Sequence, residues 1–151
     1  MLLCGCTHNP QLTTRNYIYL QHENFNGLPW KYLSQSISRT WSIESAGTNR
    51  CHTGDAPHPL SQKVARQNGI DISQQKARTF TAADFDVYDK IYALADDVLD
   101  EMKRISKNKF DSSKVTLLMN EMYPGKNMDV PDPYYGAEHG YHEVYKMIDE
   151  V

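Results

Sequence analysis

Long apolar runs are absent from this chain of 151 residues. No stretch approaches the roughly 20 residues that a membrane-crossing helix needs, so no span is predicted. The opening "MLLCGC" has neither a charged lead nor an apolar run before its cysteines, and it does not read as a signal. Cysteine is scarce. Cys4, Cys6 and Cys51 are too few and too unevenly placed for a disulfide scaffold, which implies a reducing, cytoplasmic setting. A basic excess is missing too: the formal net charge of −3 leaves no cationic field for nucleic acid. The set Cys4, Cys6, His8 with Cys51 and His52 lacks the ligand spacing of a structural zinc site, so packing cysteines and surface histidines are expected instead of a metal.

Charge is also thin at the beginning. Of 16 basic and 19 acidic side chains, only Arg15, Glu23, Lys31 and Arg39 fall in the first 40 residues. That segment is rich in Thr, Asn, Gln, Ser and Tyr and keeps no clean helical or strand period; "MLLCG" and "YIYL" (17–20) are its only strand candidates. From Trp41 onward the pattern is legible. "WSIES" (41–45), "KIYALA" (90–95) and "KVTLLM" (114–119) read as strands. Helices are predicted from Leu60 to Asn68, stopped by Gly69, over "DDVLDEMKRI" (96–105) and over "YHEVYKMIDEV" (141–151), with a short turn at "TAADF" (81–85) capped by Thr81. Alternating strand and helix in one domain-sized chain implies a single α/β domain with a parallel sheet. Ligands of such sheets bind beyond the carboxyl ends of the strands.

The stretch "PDPYYG" (131–136) comes after the last of those strands. Pro131 and Pro133 each restrict the backbone, so the direction of the Asp132 carboxylate is set before any substrate arrives. Tyr134 and Tyr135 offer an apolar wall to an aromatic ring. By itself the loop is compatible with ordinary turn chemistry. A rigid acid beside aromatic surface is also what protonation of a leaving phenol requires.

Together, "SAGTN" (45–49), "NGIDISQQKARTFTAADF" (68–85), "YDKIYALADDVLDEM" (88–102) and "VPDPYYGAEHGYHEVY" (130–145) resemble the low-molecular-weight protein tyrosine phosphatase family. The resemblance covers about residues 41–151, with 1–40 atypical. It implies one domain with a four-stranded parallel sheet flanked by helices, the first strand lying between the second and the third. It implies hydrolysis of phosphotyrosine or another aryl phosphate through a cysteinyl-phosphate, with no metal or other cofactor. Asp132 would be the general acid and base, Tyr134 and Tyr135 would contact substrate, and Ser45 would support the phosphate loop. The expected partner is a phosphotyrosine-containing protein or a small aryl phosphate, with neither nucleic acid nor membrane involved.

The departure from the family lies at the nucleophile. Family members carry Cys-x5-Arg after the first strand, where backbone amides wrap a phosphate, a helix dipole helps form the thiolate, and the arginine returns to clamp the phosphoryl group. Six residues beyond Cys4, Cys6 and Cys51 stand Pro10, Leu12 and Pro57. Cys6 with Arg15, nine positions on, is the weak remaining candidate for a nucleophile and its clamp, and "CTHNPQLTTR" has no glycine to ease a close approach to phosphate. Loss of pattern before Trp41 suggests that residues 1–40 arose by replacement or a shifted frame. Little or no turnover is expected. The alternative is a catalytically silent module that binds phosphoproteins.

Overall fold

The computed structural model describes residues 15–21, 41–50 and 52–151. Four strands form one sheet: β1 (Arg15–Gln21), β2 (Trp41–Gly47), β3 (Lys90–Ala93) and β4 (Val115–Leu117). Their order is β2-β1-β3-β4, and every pairing is parallel. The interior slot is therefore filled by the segment around "YIYL", which runs from Arg15 opposite Trp41 to Gln21 opposite Gly47 and also pairs Leu20 with Ala93. "MLLCG" lies outside the described residues.

Alternation along β3 divides the core. Tyr92 and Leu94 join α1 (Pro59–Gln67) and α4 (Glu138–Asp149) through Val64, Ala65, Tyr141, Val144, Tyr145 and Ile148. Ile91 and Ala93 point the other way. They meet α2 (Asp84–Val87) and α3 (Asp96–Ser106) through Phe85, Val98 and Met102. A strand buried on both faces must be apolar without interruption, as "IYAL" is.

The helix ends have identifiable chemistry. α1 starts with Pro59 at its first position and ends where Gly69 takes φ +78. The Ile70 amide donates to Ala65 O at 2.9 Å and the Gly69 amide to Arg66 O at 3.0 Å, a Schellman closure that buries Ile70 against the core. In α3, Asp96 and Asp97 lead while Lys103 and Arg104 trail, matching the helix dipole. Two elements differ from the sequence reading. The strand expected over 114–119 keeps only three residues before a 3-10 turn at Leu118–Asn120, because the chain must bend to bury both Leu118 and Met119. Thr81 caps nothing: the buried Asp84 carboxylate reaches back to accept from the Thr81 amide at 2.7 Å.

Asp84 belongs to a polar cluster that ties β2 to the crossover into β3. Arg78 Nε donates to Glu44 at 3.1 Å, its terminal nitrogens reach Asp84 and the Tyr88 hydroxyl, and that hydroxyl donates to Glu44. Burial of Arg78 by itself lowers its pKa, but Asp84 and Tyr88 outweigh it and the net movement is upward. Burial, reinforced by the bond to Glu44, pushes Tyr88 from 10.0 up to about 12. The raised value means that the neutral phenol contributes stability in full below about pH 10, and that this contribution is lost as pH rises through about 12. Tyr88→Phe should cost about 0.5–1.5 kcal/mol at neutral pH. It should also flatten the alkaline fall in stability relative to wild type, as read by urea denaturation at a series of pH values. Parallel curves for the two proteins above pH 10 would contradict the assignment.

Candidate functional site

At the carboxyl edge of the sheet, three chain segments meet. β2 leads into 48–58, β3 ends at Ala93 beside Leu94, and the long connection from β4 returns to the same edge. It is fastened there by two bonds. The Val130 amide donates to Leu94 O at 2.8 Å, and the Asp129 carboxylate accepts from the Asp96 amide at 2.9 Å. Asp96 opens α3, whose flanking residue Ala95 has no side chain able to cap. Asp129 therefore supplies from a distant loop the cap that the helix lacks locally.

Three residues beyond that anchor stands Asp132, exposed, with Oδ1 accepting from the Tyr134 amide at 2.9 Å. This Asx turn fixes the carboxylate relative to the next ring along the chain. A second turn comes after it, in which the Gly136 amide donates to Pro133 O at 2.8 Å. Pro133 is buried against Gly140 of α4, where a Cβ would lie 3.3 Å from the proline Cβ. Pro133 thus seats the acid turn on the helix, and Gly140 makes room for it.

Tyr134 forms a half-buried wall. Around its ring lie His52 at 5.8 Å, His58 at 5.4 Å and Tyr135 at 5.0 Å between centroids. His58 flanks the start of α1 and stacks on buried Tyr141. Its Nδ1 accepts from the Leu60 amide at 3.2 Å and lies 3.0 Å from the Tyr141 hydroxyl. That hydroxyl also lies 3.4 Å from Tyr134 O. Burial raises the Tyr141 pKa, and the negative charge of Asp132 raises it further. His52 is oriented by Asp55, 3.1 Å from its Nδ1.

Asp132, Tyr134 and Tyr135 thus lie together on one edge, with Tyr135 projecting at 89% exposure. Ser45 is half-buried on β2, opposite Tyr19. Cys6 and Cys51 lie outside the described residues. Arg15, weighed as the clamp for Cys6, begins β1; six residue steps separate it from Gln21, roughly 20 Å at strand rise and toward the opposite edge. Sequence reasoning missed His52, His58, Tyr141 and Asp129. The histidines read as scattered surface groups because nothing local announces that α1, α4 and the acid turn converge. The signal available for Asp129 was negative: a helix beginning Ala95-Asp96 without a capping side chain. Among the described residues no group of three or more His, Cys, Asp or Glu gathers to hold a metal ion, and no helix is long and apolar enough to cross a membrane.

Comparison with known proteins agrees with this geometry. A family model described as low molecular weight phosphotyrosine protein phosphatase matches residues 31–151. A Schizosaccharomyces pombe protein of that description is 34% identical over 109 residues, which cover 72% of this chain and 69% of the relative. The Homo sapiens counterpart is 31% identical over 114 residues, 75% and 71% of the two chains. Among solved structures, Vibrio vulnificus Wzb in complex with benzylphosphonate superposes with a TM-score of 0.78 over 91% of this chain and 93% of its own, at 19% identity. An Entamoeba histolytica protein tyrosine phosphatase does so with 0.77 over 89% and 90%, at 24% identity. Those two likenesses establish the fold.

Asp129→Ala should destabilise the protein by about 0.5–2 kcal/mol in chemical denaturation, the usual cost of a lost helix cap. It should also speed hydrogen exchange at the Asp96 and Val130 amides, and Asp129→Asn should restore most of both. Unchanged exchange at Val130 would show that the cap and the loop anchor are independent.

Proposed function

Because the chain belongs to the low molecular weight phosphotyrosine protein phosphatase family, we propose that its Asp132 turn keeps the leaving-group side of aryl phosphate monoester hydrolysis, while the chain as written turns such esters over little or not at all. The observation that carries this is the Asx-locked Asp132 carboxylate beside the Tyr134 wall. In this reading Asp132 holds the position from which a departing phenolate oxygen is protonated; its second role, taking a proton from the water that attacks a cysteinyl-phosphate, needs a thiol at this edge. Tyr134, backed by His52 and His58, packs against the aryl ring, exposed Tyr135 meets the peptide around it, and Ser45 supports the phosphate-binding segment. The aryl class gains support from the benzylphosphonate held by Vibrio vulnificus Wzb.

The expectation of low turnover rests on β1. The segment after it, residues 22–40, contains no cysteine. A thiolate in that segment is what a cysteinyl-phosphate mechanism needs at this edge. General acid catalysis by itself supplies about 10²–10⁴-fold, far short of a full enzyme. The same observation favours a second reading: a silent module that binds phosphotyrosine peptides without releasing product.

The test is a phenyl phosphate hydrolysis assay with wild type and Asp132→Asn, paired with titration of a phosphotyrosine peptide. Release of phosphate at the buffer rate in both proteins is expected. A turnover of about 1–10³ s⁻¹ that Asp132→Asn abolishes would overturn the low-turnover reading and keep the acid assignment. Turnover unaffected by Asp132→Asn would overturn both. Saturable peptide binding without product selects the silent module.

A further inference from the structure

The geometry points to a second anion-binding site, in the cleft between α3 and the loop that leaves β2, built for a small organic phosphate. The cleft has a volume of about 650 Å³, within the range of ligand pockets. Arg50 and Thr79 lie on one bank, Arg104 and Lys107 on the other, with Phe80 and Ile105 between them. None of its lining residues belongs to the Asp132–Tyr134 wall.

Charge is arranged unevenly within it. Arg104 is engaged by Glu101, 2.6 Å away. Arg50 and Lys107 are exposed, and among the described residues neither has an acidic partner. Two cations left unneutralised on facing banks favour a doubly charged head group. The partly exposed side chain of Ile105, backed by buried Phe80, favours a ligand with a carbon body over a bare ion.

The Arg50 bank is laced in place. The Gly54 amide donates to Ala77 O at 2.8 Å and the Ala77 amide to Asp55 O at 2.9 Å, lacing the Arg50 loop to the neighbouring segment. The Thr53 hydroxyl donates to Arg50 O at 3.1 Å, so the Thr79 hydroxyl, 2.7 Å from it, must donate to Thr53. This relay pins the Arg50 backbone. Lys107 stands at the end of α3 with φ +49, a conformation that glycine or asparagine would adopt more easily. A lysine there serves no need of the turn, but it does place an ammonium on the cleft. A preorganised bank lowers the ordering cost of binding.

Ribose 5-phosphate and inorganic phosphate are the probes, titrated into the full chain with amide shifts monitored by NMR. Ribose 5-phosphate should give saturable shifts at Thr48–Arg50, Thr79–Phe80 and Ile105–Lys107. Arg50→Gln and Lys107→Gln should each weaken it by about tenfold, the scale of one charge-assisted contact, with unchanged melting temperatures. Asp132→Asn should leave this binding intact, which separates the outcome from any failure of the phosphatase reading. Absence of saturable shifts at those amides, or equal binding by the double variant, would overturn the site. Binding of inorganic phosphate as tight as that of ribose 5-phosphate would overturn the assignment to an organic ligand.

Discussion

Everything at the carboxyl edge depends on β1 occupying the slot between β2 and β3. A parallel sheet with that slot open leaves a row of backbone groups unpaired on both sides, and no side-chain packing offsets such a loss. The pairing of Leu20 with both Ala46 and Ala93 aligns the ends of three strands. Once they are aligned, the turns leaving them share one surface. The acid loop, the His52 loop and the start of α3 are neighbours for that reason and not through any affinity of their own.

A second dependence grows out of the first. Leu94, just past β3, presents a carbonyl at the sheet edge, and Val130 from the β4–α4 connection satisfies it. Asp129 satisfies an amide of α3 one step further along. The acid loop is therefore held by groups that the strand–helix junction would otherwise leave unpaired. Pro133, wedged between that anchor and α4, converts the attachment into a direction for Asp132. A loop tied at both ends needs little sequence of its own to be rigid, and three of the residues between Val130 and Gly136 hold it: two prolines and an aspartate.

The parts of this arrangement that depend on local pattern were legible in the sequence. Alternation found β2, an unbroken apolar run found β3, helical spacing found α1, α3 and α4, and Gly69 marked a real stop. "YIYL" was visible as a strand, but its choice over "MLLCG" was not, because the slot is specified by pairing with β2 and β3 and not by the segment itself. The loop around Asp132 was only suggestive by itself, and its chemical reading came from the resemblance carried by the segments around it. Contacts across long separations were not. Nothing near His58 in the chain announces Tyr141, 83 residues away. Thr81 had the right residue type for a cap, yet no side chain caps α2, and the buried Asp84 carboxylate bonds the Thr81 amide instead.

The proposed acid turn and the segment that joins β1 to β2 in sequence belong to opposite ends of the chain, so each can change without the other. The acid side is built into the fold: removing Pro133 or Asp129 disturbs α4 and α3 as well as the site. On the other side, β1 and β2 keep their register from Arg15 opposite Trp41 to Gln21 opposite Gly47. A segment such as 22–40, which lacks cysteine altogether, is therefore compatible with the same sheet, the same register and the same Asp132 turn. Family membership and a well-formed Asp132 turn therefore do not by themselves supply a thiol, and the low turnover proposed above rests on that separation.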